Sequence, residues 1–258
     1  MKILIYDTHK TAFIRAALMI HARLIDRPNM ILGLATGGTM ERLYRALIAL
    51  CQKSGTSVSA ISTFNLDEYV GLAPTDPASY NYYMHAKLFS KLDFDLLKTH
   101  LLIGDTPNPD DEAKRYENLI ESMGGIDLQL LGIGQNGHIG FNEPSSSLAS
   151  RTRVKTLATE TLEANRKYFD SFEKVPHRAL TMGVGTILDS HECLLVATGA
   201  DKADAVAKMV EGPVSASCPA SALQFHQRVT VVLDADAAAK LQMRSYYELT
   251  HPGGAENG

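Results

Sequence analysis

The chain has 258 residues, 45% hydrophobic and 21% charged, with no tryptophan and a formal net charge of −4. That length is enough to bury a substantial core, and no apolar run approaches the roughly 18 residues that would suggest a membrane span. The acidic balance, with Lys and Arg not gathered in runs, argues against a nucleic-acid surface, so positive potential for an anionic ligand must be local.

The opening "MKILIYDTHK" lacks the apolar core and cleavage signature of a secretory leader, which makes the cytoplasm the expected address. Its "KILIY" run is followed by Phe13, Ala17, Ile20 and Leu24 at helical spacing, and "MILGLA" by Leu43, Leu47 and Leu50. Next come "ISTFNL", then "HLLIG" with Ala113, Tyr116, Ile120 and Met123, then "DLQLLGIG" and "ALTMGVG". "ECLLVAT" with Ala203, Val206 and Val210, and finally "VTVVLD", continue the rhythm. Strands apolar throughout are buried on both faces, and their alternation with helices predicts a doubly wound, mostly parallel α/β sheet of Rossmann-like type. No interior linker or repeat breaks the pattern, so residues 1–250 are read as one domain and residues 251–258 as a loose tail. Cys51, Cys193 and Cys218 are odd in number and widely spaced, which implies neither a disulfide framework nor a zinc site.

In such a sheet every strand-to-helix loop emerges at one carboxyl edge, where ligands bind. "ATGGTM", "DEYVGL", "QNGHIGFNE" and "TGADK" each follow a predicted strand, so four distant segments are expected to meet there. The first, with Thr36, Gly37, Gly38 and Thr39, reads either as a phosphate cradle at a helix N-terminus or as a tight turn with Thr39 as N-cap. In the second, Asp67 and Glu68 are neighbours on an extended chain, so at most one faces a shared pocket. Asp67 as a catalytic base competes there with Asp67 as a cap and Glu68 as a solvated carboxylate.

"GIGQNG" matches GxGxxG at Gly132, Gly134 and Gly137. The helix that a dinucleotide site needs is blocked by Gly140 and Pro144, so no nucleotide cofactor is expected and a folded-back loop is the better reading. That loop offers His138 as an acid/base, with Asn136 and Glu143 near enough to orient it; the alternative is a satisfied loop histidine. None of the nine histidines shows HExxH or HxH spacing, so no metal is expected either. Lys202, near a predicted helix start, opposes the helix dipole unless an anion lies between them. Arg166 and Lys167 add charge from a flanking helix, unless they simply face water.

"LGLATGGT", "NLDEYVGL", "LLGIGQNGHIGFNEP", "SLASRTRVKTL" and "ALTMGVGTIL" together resemble the glucosamine-6-phosphate deaminase (isomerase) family, in the family's order and over about residues 1 to 250. A sister family on this fold, 6-phosphogluconolactonase, shares a Gly-His loop but typically lacks the "DEYVGL" and "FNEP" elements. The resemblance implies conversion of glucosamine 6-phosphate and water to fructose 6-phosphate and ammonia, in amino-sugar catabolism, without metal or organic cofactor. By the same resemblance Asp67 moves the proton between C2 and C1, and His138 protonates the ring oxygen with Asn136 and Glu143 orienting it. The "TGGT" backbone and Lys202 hold the phosphate, and a helical lid spans about residues 156–180.

The chain departs from the family pattern at three places. Asn136 stands where some members have Asp, Met40 follows the cradle where many have Pro, and the lid's phosphate-binding arginine falls on Lys167 with Arg166 beside it. Ser146, Arg153 and Lys155 match positions through which some hexameric members are activated by N-acetylglucosamine 6-phosphate, so the resemblance admits a homo-oligomer and an effector site, while shorter relatives lack both. The rival readings are a lactonase, which has no need of Asp67 as a carbon base, and a non-enzymatic sugar-phosphate sensor, expected to carry a helix-turn-helix segment.

Overall fold

The computed structural model describes residues 1–255. Strand β1 (Lys2–Tyr6) leads into helix α1 (His9–Asp26), capped by the Thr8 hydroxyl, which accepts from the Thr11 amide at 3.1 Å. The chain continues through β2 (Ile31–Leu34), α2 (Gly38–Ser54), β3 (Ser62–Asn65), β4 (Asp67–Tyr69), α3 (Tyr80–Lys87), β5 (Thr99–His100), α4 (Pro109–Ser122) and β6 (Leu128–Leu131). After the glycine-rich loop come β7 (Arg153–Thr156), α5 (Thr159–Asn165), β8 (Arg178–Thr181), α6 (Val184–Leu188), β9 (Glu192–Ala197), α7 (Ala203–Val210), β10 (Val229–Asp234) and α8 (Arg244–Thr250).

Seven strands form one parallel sheet in the order β1-β10-β9-β6-β2-β3-β5. β6 and β9 are buried along their whole length, which is why their sequences do not alternate and, apart from Gln129 and Glu192, are apolar. From β2 the chain moves outward through β3 to β5, then returns to β6 on the other side of β2 and proceeds outward through β9 to β10. Right-handed crossovers running in opposite directions place α1 and α2 on one face and α4 and α7 on the other. The strand order therefore reverses between β2 and β6, and a crevice opens at their carboxyl ends.

Two expectations are corrected. "ALTMGVG" does not join the parallel sheet; it supplies β8, the middle strand of a small antiparallel sheet β4-β8-β7. The cause is local. Leu66 ends the pairing with β2 by donating its amide to the Leu34 carbonyl (3.1 Å), and its own carbonyl accepts from the Met182 amide (2.7 Å), so the chain changes sheets at the residue before Asp67. The segment expected to form a lid runs between β7 and β8; its helical parts are α5 and single turns at Arg166–Tyr168 and Phe172–Lys174, while the ends of the expected 156–180 span are strand. A satellite core of Tyr69, Phe141, Leu157, Leu162, Val175 and Ala179 packs beneath it.

The other correction concerns the tail. Pro252–Gly254 forms a turn against edge strand β1, with Gly254 buried on the Tyr6 ring and its carbonyl accepting from the Tyr6 hydroxyl at 2.7 Å. Residues 251–255 are thus docked, and the remainder of the expected tail, 256–258, lies outside the described residues.

Candidate active site

A cleft of about 570 Å³ occupies the crevice between the β2 and β6 ends, lined by all four loops expected there. After β2, Gly37 adopts φ 104°, a conformation that a side chain rarely tolerates, and this sharp turn starts α2 at Gly38. Gly37 is the N-cap and Thr39 lies within the first turn, so the sequence alternative of Thr39 as cap fails and its side chain is not used in capping. The Ala35 carbonyl is occupied by the Tyr44 hydroxyl (2.5 Å) and the Gly37 carbonyl by the Tyr83 hydroxyl (2.9 Å). With the carbonyls committed, the first amides of α2 are the groups left to meet an anion in the cleft.

Asp67 lines the cleft and Glu68 faces the other way, as alternation along a strand requires. The Glu68 carboxylate is buried and accepts from three backbone amides: Tyr69 (2.9 Å), Tyr80 (3.0 Å) and Asn81 (2.8 Å). The sequence alternative is thereby reversed, since Glu68 is the capping carboxylate and is not solvated. Asp67 is 5% exposed, and among the described residues no group donates a hydrogen bond to its carboxylate. Burial, and then the charge of Glu68, push its carboxyl up to about 8; burial pushes Glu68 up to about 7 against the pull of its three amides.

The loop after β6 folds back rather than entering a helix. The Gly134 amide donates to the His138 carbonyl (2.9 Å) and the Gly137 amide to the Gly134 carbonyl (3.0 Å). A Cβ on Gly134 would fall 2.2 Å from His138 Cε1, so this glycine is what lets the imidazole lie over the backbone. Asn136 bridges the loop, its Oδ1 accepting from the His138 amide (3.2 Å) and its Nδ2 donating to Glu143 Oε2 (2.9 Å). His138 Nδ1 stands 3.5 Å from the same Glu143 oxygen, close enough for ion pairing but too long for a good hydrogen bond. Burial raises the Glu143 carboxyl, but His138, Thr161 and Asn136 outweigh it and hold it at about 2. Gly140 then brings the loop against the base, since a Cβ there would sit 3.3 Å from Asp67 Oδ2.

Two cations complete the lining. Lys202 sits in the turn before α7, 3.4 Å from Asp201, whose carboxylate also accepts from Gln135 Nε2 at 3.0 Å. Lys167 enters from the lid, its ammonium 5.0 Å from the centre of the Tyr168 ring, whereas Arg166 does not line the cleft. Ser146, Arg153 and Lys155 also lie outside it: Ser146 is buried, and Arg153 on β7 donates to Asn142 Oδ1 at 2.9 Å. No cluster of His, Cys, Asp or Glu among the described residues is placed to hold a metal ion. Sequence reasoning missed Tyr69, Tyr80, Tyr83, Tyr168 and Phe141, which supply the aromatic part of the lining. Tyr80 and Tyr83 have a sequence signal in the "SYNYYMHAK" segment, where Ser79 caps a helix rich in tyrosine.

Comparison with known proteins places the chain in a family. The profile of the family of glucosamine-6-phosphate isomerases and 6-phosphogluconolactonases matches residues 8–232. A glucosamine-6-phosphate deaminase of Shewanella woodyi is 51% identical over 226 residues, covering 88% of this chain and 86% of that protein. A solved structure of a monomeric glucosamine-6-phosphate deaminase superimposes with TM-score 0.91 at 46% identity, over 93% of this chain and all of the other. The 6-phosphogluconolactonase of Trypanosoma brucei superimposes with TM-score 0.71 at 20% identity, over 93% of this chain and 98% of its own, a likeness of fold alone.

Proposed function

This chain belongs to the family of glucosamine-6-phosphate isomerases and 6-phosphogluconolactonases, and we propose that its reaction is the isomerising deamination of glucosamine 6-phosphate. Glucosamine 6-phosphate and water become fructose 6-phosphate and ammonia. The observation that carries this reading is the buried Asp67 carboxylate, without a hydrogen-bond donor among the described residues, lining the same cleft as the His138 and Glu143 loop. Lactone hydrolysis needs no base at carbon, and a carboxylate kept dry and basic is suited to one.

In the proposed course the phosphate rests on the first amides of α2, with Lys202 and Lys167 beside it, which holds the reacting carbons against Asp67. His138 gives a proton to the ring oxygen as the pyranose opens, with the Glu143 carboxylate offsetting the charge of the protonated imidazole before transfer and Asn136 holding Glu143 in place. Asp67 takes the C2 proton to give an enolamine and returns it to C1, leaving an imine at C2. Water adds to that carbon and ammonia departs, with no oxidant or reductant required. A positioned acid/base of this kind contributes about 10² to 10⁴ in rate.

Incubation of the purified protein with glucosamine 6-phosphate, following both products, tests the assignment; absence of both at saturating substrate refutes it. We place the reaction in the cytoplasmic breakdown of N-acetylglucosamine, which predicts that a strain lacking the protein fails to grow on that sugar. Ser146, Arg153 and Lys155 remain our proposed effector position. Substrate saturation that is the same with and without N-acetylglucosamine 6-phosphate removes that role, and the mass in solution decides between monomer and homo-oligomer.

A further inference from the structure

Glu68 takes no part in the course described above, yet at 1% exposure it is the most deeply buried acidic side chain among the described residues. No cation pairs with it; its three partners are backbone amides, and two of them, Tyr80 and Asn81, belong to the first turn of α3. Ser79 takes the Tyr82 amide at 3.0 Å, so two side chains together satisfy donors that a helix start leaves open. α3 in turn carries Tyr83, which donates to the Gly37 carbonyl of the cradle at 2.9 Å, and Tyr80, whose ring stacks at 13° on Phe141 of the His138 loop. A single carboxylate thus links the strand of Asp67 to the helix that braces both other parts of the site.

We propose that Glu68 is the positioning residue of this site: it keeps a buried negative charge next to Asp67 and, by holding the first turn of α3, sets the distance between base and phosphate cradle. This rests on the functional reading above. The titratable groups whose charges act on Asp67 are Glu68 and Tyr69 from its own strand, Tyr80 from α3 and Tyr116 from α4, while His138, Lys167 and Lys202 line the same cleft; Asp76 acts on Glu68. The Glu68 charge opposes ionisation of Asp67 in the same direction as burial, which makes Asp67 a stronger proton acceptor.

The test compares pH profiles of kcat/KM in the parent, Glu68→Gln, Glu68→Asp and Tyr83→Phe, together with titration of each by inorganic phosphate. Glu68→Gln removes the charge, so the limb on which the base ionises moves to lower pH by about one unit, and kcat falls about tenfold or more. Glu68→Asp keeps the charge but not the reach to α3, so that limb stays in place while KM rises and phosphate binding weakens several-fold. Tyr83→Phe behaves as Glu68→Asp does. An unmoved limb in Glu68→Gln overturns the proposal, as does phosphate binding left intact in both other variants. Should Glu68→Gln fail to fold, the other two variants still decide it. A parent that releases no ammonia, with phosphate binding still weakened in the variants, defeats the functional reading alone.

Discussion

Replacing Asp67 with Asn should cut turnover by orders of magnitude and at the same time stabilise the protein, but only at neutral and alkaline pH. In the unfolded chain this carboxyl ionises near pH 4, whereas burial and then Glu68 lift it to about 8 in the fold. The folded state therefore binds the proton more tightly, and stability is lost as pH rises from 4 towards 8 and the acid must ionise in place. Four orders of magnitude in the dissociation constant, at about 1.4 kcal/mol each, set a ceiling of about 6 kcal/mol on this penalty above pH 8. Part of it belongs to the pair rather than to Asp67 alone, and a buried amide without partners costs about 1–3 kcal/mol of its own. A net gain of roughly 2 kcal/mol at pH 8.5, vanishing or reversing at pH 4.5, is the expected result. Urea unfolding of parent and variant at the two pH values measures it, and kcat should fall about 10² to 10⁴-fold with KM nearly unchanged. A variant equally destabilised at both pH values would refute the account, because it would make Asp67 a structural carboxylate rather than one held against its preference.

Three further outcomes are expected. Gly134→Ala places a methyl 2.2 Å from His138 Cε1 and must displace the ring; a kcat reduced about a hundredfold or more, with melting temperature little changed, supports the ring-opening role, and unimpaired turnover counts against it. Asn136→Asp sets a second carboxylate where an amide now donates to Glu143 at 2.9 Å, so one of the pair gains a proton more readily and the acid limb of the pH-rate profile moves upward. A profile coinciding with the parent's would end that argument. Lys167→Ala should raise KM by roughly ten- to a hundredfold, the worth of one charge-assisted bond, while Arg166→Ala leaves KM near the parent value; equal effects would mean that the lid presents both cations to the phosphate.

The parallel sheet was legible because buried strands such as "DLQLLGIG" and "ECLLVAT" are apolar on both faces, and the convergence of four loops follows from that topology alone. The folded-back path of the His138 loop was also readable, since Gly140 and Pro144 forbid a helix there. The change of sheet at Leu66 was not. It depends on a hydrogen bond to Met182, far along the chain, and three residues of strand after four of strand look continuous in sequence. For the same reason the division of labour between Asp67 and Glu68 could be framed but not assigned, because the amides that claim Glu68 lie at 80 and 81, beyond a loop of undetermined path. The tyrosines of α3 were invisible as site residues because helical spacing says which side chains share a face, not what that face meets.

Pro252–Gly254 covers one margin of the main sheet, and at the other margin β5 is only two residues long. A strand that short offers little backbone onto which another can be added, and at the first margin the turn closes over the Tyr6 ring at the end of β1. Removing residues 251–255 leaves the catalytic groups in place but uncovers the Tyr6 ring, so the expected cost falls on solubility rather than on turnover.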